Sequence, residues 1–376
     1  MSDYAKGLEG VVANESALSN VEGKEGRLSY LGYSIDELVA KCSFEEVTYL
    51  LHYGRLPKAQ ELQSFEQALR TNRKIPDGVV EFLKSAPKDA NPMDVLRTGI
   101  SMLGLYDKRA KVGEPDAEAN GQVAISLCAQ TAVIVAYFHR ARQGLDLPPV
   151  REDLSEAAHF LYLINGEVPS DAEAKTLDVA YIIHADHGMN ASTFSARVTV
   201  ATLSDFYSAV TSAVGTLKGP LHGGANEGVI KMLNKIGSLD QVDAFVEDCL
   251  TRKKKIMGIG HRVYKVLDPR APHLQKMAIK LTEELGETKW IEMSERIATI
   301  MRERKGLNAN VDFYSATVYY SLGIPTDLFT PIFAIARMAG WTAQVLEQLE
   351  NNRLYRPLTK YTGPSELSEV PPISER

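Results

Sequence analysis

The chain has 376 residues, of which 44% are hydrophobic and 24% are charged. This balance is typical of a globular protein, and the length allows two domains, or one large and one small domain. The formal net charge of −6 excludes an overall positive field that would attract the chain to nucleic acid or to an anionic membrane.

The cysteines and the first residues both bear on where the protein works. Cys42, Cys128 and Cys249 are far apart in the sequence and form no CxxC pair, a pattern typical of reduced thiols in the cytoplasm. The opening MSDYAKGLEG lacks the apolar stretch of a signal peptide. We therefore expect a cytoplasmic protein.

The first structural signal is a short β pattern, and helical signals follow it. In residues 17–34, ALSNVEGKEGRLSYLGYS, glycines separate two alternating runs and predict a small hairpin. Ser43 and Glu46 form a capping-box pattern for a helix, and Asn91 can cap another with Pro92 in its first turn. Helical periodicity continues through most of the chain, which predicts an all-α protein with one hairpin.

Three later segments complete this prediction. The apolar run from Val123 to Phe138 is short for a membrane span and contains polar residues, which favours a helix buried in a large core. Pro331 opens a helix whose apolar stripe ends near Asn351. The tail, residues 362–376, is rich in Pro, Ser and Glu, and is either disordered or an arm laid over a partner subunit.

One histidine stands in a turn that displays it. In GPLHGGANEGV, residues 219–229, Gly219 and Pro220 stop a helix, and Gly223 and Gly224 permit close backbone approach before the next helix begins. We expect His222 to be displayed there among backbone N–H groups.

Other histidines raise the alternative of a metal-dependent hydrolase. His184 and His187 lie three residues apart in IIHADHGMNAS, and His222 or His261 could complete a set of ligands. Neither an HExxH motif nor a cysteine pair supports this alternative. His184 follows the apolar run VAYII, which favours a hydrogen-bonded position in the core.

The segment KKKIMGIGHRV, residues 253–263, has two features of interest. Gly258 and Gly260 do not indicate a dinucleotide loop, because a third glycine and a preceding strand pattern are absent. The basic run Arg252–Lys255 is either a solvated helix face or a local anchor for phosphates.

An aspartate and three arginines suggest an anionic substrate. Asp312, before an apolar and aromatic run, is an N-cap, or a carboxylate held partly out of water so that its basicity rises, or both. Arg270, Arg337 and Arg356 occur in apolar or turn settings. Because guanidinium groups match carboxylates bidentately, these arginines beside displayed histidines predict a site for a small polycarboxylate.

Specific motifs then indicate a family. They are FEEVTYLLHYGRLP, HADHGMNASTFSARV, SDFYSAVTSAVGTLKGPLHGGANE, MGIGHRVYKVLDPRA, NVDFYS and YRPLTKYTGP. In these segments the chain resembles citrate synthase over nearly its whole length. The resemblance implies an all-α homodimer with a large helical domain, residues 1–223 and 323–376, and a smaller inserted helical domain, residues 224–322. It also implies a cleft between the domains that closes when oxaloacetate binds.

The resemblance further implies a reaction, the condensation of acetyl-CoA with oxaloacetate and water to give citrate and CoA, with no metal or redox cofactor. Asp312 would take a proton from the acetyl methyl group, His222 would stabilise the enol or enolate, and His261 would protonate the oxaloacetate carbonyl. The implied oxaloacetate ligands are His187, Arg270, Arg337 and, from the neighbouring subunit, Arg356. The implied CoA-binding residues are Lys255, Ile256, Met257, Gly258 and Lys265.

Some positions depart from the family pattern, namely Asn91, Gly188, Ala309 and Gln344. None of them removes a catalytic group, but Ala309 replaces a usual proline, so we expect a less rigid loop before Asp312.

The N-terminal regulatory segment of some relatives is missing, from which we expect a dimer without inhibition by NADH. A 2-methylcitrate synthase that uses propionyl-CoA stays an alternative, because one methyl group in an apolar pocket is worth only about 1 to 3 kcal/mol.

Overall fold

A computed structural model describes residues 4–109, 112–113, 116–261, 263–364 and 370–375. Within these ranges the chain forms sixteen α-helices, several short 3-10 turns and one three-stranded sheet. The prediction of an all-α fold with a small N-terminal hairpin is therefore confirmed.

The hairpin lies at the start of the chain, where it was predicted. Strands β1 (Ser19–Glu22) and β2 (Arg27–Tyr30) pair antiparallel, and a further short strand, β3 (Tyr33–Ser34), pairs with β2. Leu31 and Gly32 connect β2 to β3 with φ values of 46° and 86°. Positive φ at both central residues is what a tight two-residue hairpin turn requires.

Ten helices precede the turn that contains His222: α1 (Ile35–Lys41), α2 (Phe44–Tyr53), α3 (Ala59–Thr71), α4 (Asp77–Ser85), α5 (Pro92–Tyr106), α6 (Ala117–Gln143), α7 (Glu156–Asn165), α8 (Asp171–His184), α9 (Ala191–Val200) and α10 (Phe206–Leu217). The remaining described helices are α11 (Ala225–Ile236), α12 (Val242–Thr251), α13 (Ala271–Leu285), α14 (Lys289–Lys305), α15 (Val311–Ser321) and α16 (Phe329–Glu350).

Helix caps confirm two of the predicted starts. The Ser43 hydroxyl accepts from the Glu46 N–H, and the Glu46 carboxylate accepts from the Ser43 N–H, so the capping box of α2 is complete. The Asn91 side chain caps α5. The long helix α16 begins at Phe329, earlier than the predicted start at Pro331. Proline fits there because the first N–H groups of a helix have no partner within the helix.

Helix α6 is the centre of the core, as the apolar run predicted. From Val123 to His139 every residue except Gln130 is buried, and α6 packs against α16, α5, α7 and α4. Among the described helices, α6 alone has the length and apolar composition to cross a membrane, and 83% of its most apolar window is buried inside the protein. A core helix of a soluble protein has the same properties.

Helices α11 to α15 pack chiefly on one another. Helices α11 and α13 both lie against α15, and α12 lies against α14. Contacts of α11 with α16 and of α13 with α8 join this group to the other helices. The domain boundaries inferred from the resemblance coincide with two helix caps, Gly224 before α11 and Leu322 after α15. The division into two domains stays a prediction.

A buried charged cluster connects α2, α7 and α8. Arg73 donates to Glu156 through Nε at 3.1 Å and through Nη2 at 2.6 Å. A carboxylate oxygen of Glu45 accepts from the Glu156 N–H at 2.8 Å. Burial, reinforced by the negative charges of Asp178 and Glu156, raises the pKa of Glu45 to about 7.

We expect Glu45→Gln to stabilise the protein near pH 8 and to change little near pH 4. The folded pKa of Glu45 exceeds its ordinary value of 4.5, so the contribution of Glu45 to the free energy of unfolding is greatest below that pH and falls as the pH rises through about 7. At alkaline pH the free energy of unfolding of Glu45→Gln should exceed that of the wild type by about 3 kcal/mol.

Urea unfolding at the two pH values measures this difference. Glu81→Gln is the control, because it removes a carboxylate whose ion pair with Lys84 is exposed on α4 and contributes little to stability. Equal stability of Glu45→Gln and the wild type at the higher pH would contradict the expected effect of the buried charge.

Candidate active site

Two loops from distant parts of the sequence pair with each other and form one wall of the site. We call residues 256–261 and 308–310 the loop pair. The Gly260 N–H donates to the Asn308 carbonyl at 2.8 Å, and the Asn310 N–H donates to the Gly258 carbonyl at 2.9 Å. The Asn310 side chain also donates to the Gly260 carbonyl at 2.8 Å. The pairing holds the loop that ends at His261 against the start of α15.

Asp312 lies in the first turn of α15, beside the loop pair. Its backbone N–H donates to the Asn310 side chain at 3.0 Å, so Asn310 is the N-cap of the helix. The N-cap alternative for Asp312 is therefore wrong. The other alternative is supported, because the carboxylate retains only part of its accessible surface and burial raises its pKa to about 6. Arg270 opposes this increase and the negative charge of Asp268 adds to it.

Asp268 holds Arg270 and the start of α15 together. The two side chains form a bidentate pair, with Nε to Oδ1 at 3.0 Å and Nη2 to Oδ2 at 2.9 Å, and both are buried. Asp268 also accepts from the Val311 N–H at 3.2 Å. The pair raises the pKa of Arg270 and keeps its guanidinium charged. Asp268 was not among the site residues expected from the sequence, although it directly precedes Pro269 and Arg270.

His261, at the end of the first loop, presents a neutral N–H donor. Its Nδ1 accepts from the backbone N–H groups of Val263 and Tyr264, each at 3.1 Å. A nitrogen that accepts such bonds carries no proton, so the proton of the neutral ring is on Nε2. Burial, with the positive charge of Arg270, lowers the pKa of His261 to about 4.

His222 has the opposite tautomer for a similar reason. Its Nε2 accepts from the Ser192 N–H at the start of α9, at 3.3 Å, and lies 2.8 Å from the Ser192 hydroxyl. The proton of the neutral ring is therefore on Nδ1. Burial, with the charge of Arg337, lowers the pKa of His222 to about 4. Gly223 makes the predicted close approach, since a Cβ there would lie 2.4 Å from the Leu217 carbonyl oxygen.

Arg337 brings a buried guanidinium from α16 to the same site. The residue is 1% exposed, and its Nε donates to the His184 carbonyl at 2.7 Å. Among the described residues, its terminal amino groups have no hydrogen-bonding partner. Burial lowers the pKa of Arg337 to about 10, and the arginine in turn acts on the pKa values of His222 and Asp312.

His187 lies beside His261, with ring centroids 5.9 Å apart. Its Nε2 is 3.0 Å from the Tyr264 hydroxyl. Burial, with the charges of Arg270 and Arg337, lowers the pKa of His187 well below its ordinary value. The structure therefore brings His187, His222, His261, Asp312, Arg270 and Arg337 into one electrostatically connected site.

Comparisons with known proteins identify the family to which this chain belongs. The family model "Citrate synthase, C-terminal domain" matches residues 7–358. The chain is 52% identical to Citrate synthase 2 of Bacillus subtilis over 99% of each chain. It is 42% identical to 2-methylcitrate synthase 2 of Corynebacterium glutamicum, over 100% of this chain and 98% of the relative. A Thermoplasma acidophilum citrate synthase, solved with carboxymethyl coenzyme A and oxaloacetate, matches with a TM-score of 0.91 and 33% identity over 100% of each chain.

The chain belongs to the citrate synthase family. It is therefore an enzyme of the citrate synthase type, which transfers an acyl group, and the resemblance identified from the sequence is confirmed.

A citrate synthase site was also expected to include Arg356, which one chain does not bring to the other residues. Arg356 is exposed after α16, and among the described residues its guanidinium donates only to the carbonyl of its neighbour Pro357, at 3.1 Å. Its contribution to the site of a neighbouring subunit stays a prediction.

The segment implied to bind CoA lies along the outer part of the loop pair. Lys255 and Lys265 are exposed, Met257 is half-buried, and Ile256 and Gly258 are buried. Ile256 and Gly258 therefore expose little surface to a ligand. Their contact with CoA stays a prediction.

The alternative of a metal-dependent hydrolase required the side chains of His184, His187 and His222 to lie close enough to bind one metal ion. His184 is fully buried, its Nδ1–H donates to the Ala180 carbonyl at 2.7 Å, and its ring packs against Phe333. Its predicted place in the core is confirmed. Across the described ranges, no group of three or more His, Cys, Asp and Glu side chains is arranged to hold a metal ion.

Two departures from the family pattern have a structural explanation. Ala309 is 5% exposed and forms a β-bridge with Ile259, so the hydrogen bonds of the loop pair hold this loop without the usual proline. The expectation of a less rigid loop gains no support from these contacts. Gln344, buried on α16, donates to the Asp186 carboxylate at 3.0 Å and accepts from Arg197.

We expect Gly258→Ala to lower the free energy of unfolding more than Gly260→Ala. Both glycines have positive φ, 75° and 78°, which costs alanine roughly 1 to 2 kcal/mol. A Cβ on Gly258 would lie 2.8 Å from both Val229 and Phe313, whereas nothing lies within 4 Å of one on Gly260. The clash should add about 1 to 3 kcal/mol. Denaturant unfolding measures the free energy of unfolding of both variants. Equal decreases would show that the side chains around Gly258 shift to accept a Cβ without a measurable cost.

Proposed function

We propose that this enzyme condenses acetyl-CoA with oxaloacetate and releases citrate and CoA. The observation that carries the proposal is the combination of a carboxylate with a raised pKa, Asp312, and two neutral imidazoles, His222 and His261, each with one N–H that no described residue accepts. Two buried guanidinium groups lie beside them. Such a site suits removal of a weakly acidic proton next to a dianionic ketone.

In the first step Asp312 would remove a proton from the methyl group of the thioester. A pKa of about 6 makes this carboxylate a stronger base than an ordinary aspartate. Negative charge then develops on the thioester oxygen, and the Nδ1–H of His222 would donate to it. One donor of this kind is typically worth about 3 to 4 kcal/mol in the transition state.

In the second step the enolate carbon would attack the ketone carbon of oxaloacetate. The Nε2–H of His261 would donate to the ketone oxygen and supply its proton while the C–C bond forms, and the proton that Asp312 took from the methyl group would then restore the neutral ring. Water then hydrolyses the citryl thioester to citrate and CoA. The proposed steps transfer protons and an acyl group, so they call for no metal or redox cofactor.

The arginines would hold the oxaloacetate carboxylates. Arg337 offers terminal amino groups that no described residue occupies, and Arg270 is fixed by Asp268. His187 would bind a further oxygen. Arg356 would enter from the partner subunit, which makes a homodimer part of the proposal.

Domain closure would complete the site. We place the hinges at the caps Gly224 and Leu322, so that residues 224–322 move as the small domain. Lys255 and Lys265 are exposed cations in that segment, which suits contact with CoA phosphates, and the backbone of residues 255–258 would contact the adenine. We also propose that the enzyme works in the cytoplasm.

A 2-methylcitrate synthase is the second candidate, because relatives with that name are 41–42% identical to this chain over almost its whole length. Relatives named citrate synthase are 43–52% identical to this chain, and the higher values favour acetyl-CoA. The two substrates differ by one methylene group, so the two activities can overlap.

The first experiment measures free thiol released from acetyl-CoA or propionyl-CoA with oxaloacetate. We expect acetyl-CoA to give the higher kcat/KM, and activity to fall as the pH drops below about 6, because Asp312 must be ionised. Asp312→Asn should reduce kcat by about 10² to 10⁴, whereas Asp89→Asn, at an exposed turn, should leave it unchanged. Unchanged thiol release in Asp312→Asn would refute the assignment of the base.

The second experiment tests the shared site. Arg356→Ala and Asp312→Asn proteins should each be nearly inactive, and mixing with subunit exchange should restore about a quarter of wild-type activity. The restored activity would come from hybrid dimers, in which one site has both wild-type residues. Absence of any recovery, although hybrid dimers form, would exclude a contribution of Arg356 across the interface.

A further inference from the structure

Tyr264 contacts three groups of the site and is 2% exposed. Its hydroxyl lies 3.0 Å from Nε2 of His187. Its ring centroid lies 4.9 Å from that of His261 at an interplanar angle of 37°, and 5.8 Å from the guanidinium carbon of Arg270. Its backbone N–H donates to Nδ1 of His261 at 3.1 Å. One residue therefore connects both substrate-binding histidines with an arginine.

The Tyr264 hydroxyl is neutral and forms a hydrogen bond with His187. Burial raises the pKa of Tyr264 to about 12, so the phenol keeps its proton. Within the described part of the chain, Nε2 of His187 is the one hydrogen-bonding partner of this hydroxyl. Because an unpaired buried hydroxyl is unfavourable, the bond restrains the orientation of the His187 ring.

The hairpin holds the loop of Tyr264 from the other side. The Lys265 N–H donates to the Gly23 carbonyl at 3.0 Å. A Cβ on Gly23 would lie 2.6 Å from the Val263 carbonyl oxygen, so the turn between β1 and β2 is in close contact with the residues flanking Tyr264. The phenol is thus fixed through its backbone as well as through its hydroxyl.

We propose that Tyr264 is a positioning residue, whose hydroxyl orients His187 to receive oxaloacetate and whose ring orients His261 toward the ketone. The proposal rests on the proposed roles of His187 and His261 in condensation. It separates two functions of one side chain, since the hydroxyl serves substrate binding and the ring serves the proton donor.

Two substitutions distinguish these functions. Tyr264→Phe removes the hydroxyl and keeps the ring, so KM for oxaloacetate should rise about 3- to 10-fold while KM for acetyl-CoA changes less than about twofold. Tyr264→Leu also removes the ring, and kcat should fall by about a further tenfold because His261 loses its packing.

Tyr137→Phe is the matched control. Its hydroxyl donates to the Pro148 carbonyl at 2.8 Å on the core helix α6, so the variant loses one phenol hydrogen bond away from the site. It should leave both KM values unchanged. Thermal unfolding of each variant, and calorimetric titration with oxaloacetate alone, separate weaker substrate binding from loss of folded protein.

The possible results are distinct. An unchanged KM for oxaloacetate in Tyr264→Phe, or an equal rise for both substrates, would overturn the positioning role. A lower KM would mean that the phenol competes with the substrate, which also overturns it. If the wild type releases no thiol from either thioester, the proposed function fails, and the titration still decides whether Tyr264 affects oxaloacetate binding.

Discussion

The site depends on the hydrogen bonds of Asn310. Its backbone N–H binds the Gly258 carbonyl, its side-chain amide binds the Gly260 carbonyl, and its side-chain oxygen caps the helix of Asp312. One residue therefore sets the distance between the loop of His261 and the helix of Asp312. Loss of one hydrogen bond from such a network lowers the free energy of unfolding, because the buried polar group that loses its partner is poorly solvated.

The electrostatics of the site follow from placing neutral imidazoles among buried cations. Burial lowers the pKa values of His187, His222 and His261, and the charges of Arg270 on His187 and His261 and of Arg337 on His187 and His222 lower them further. These rings are therefore hydrogen-bond donors without a charge of their own. The positive charge resides on guanidinium groups suited to the substrate carboxylates, while the environment of Asp312 raises its basicity. Binding and proton transfer are thereby assigned to different side chains.

The small N-terminal sheet contacts residues that hold the site in place. Its first turn packs on the residues flanking Tyr264, and Ser19 in β1 donates to the buried Asp186 carboxylate at 2.6 Å. Asp186 in turn acts on the pKa of Arg337. The first strands of the chain thus contact both sides of the site, although most of the core is helical.

The sequence by itself determined the helical class, the hairpin, the caps at Ser43 and Asn91 and the family, because these features depend on local periodicity and contiguous motifs. Only the tertiary structure decided that Asn310 joins the helix of Asp312 to the Gly260 carbonyl and that Asp268, Ser192 and Tyr264 orient the site. These side chains act on partners that lie far away in the sequence or through ring geometry, which no local pattern records. The same reason explains why the pKa values of the histidines emerged only with the fold, since they depend on burial and on charges brought together from distant segments.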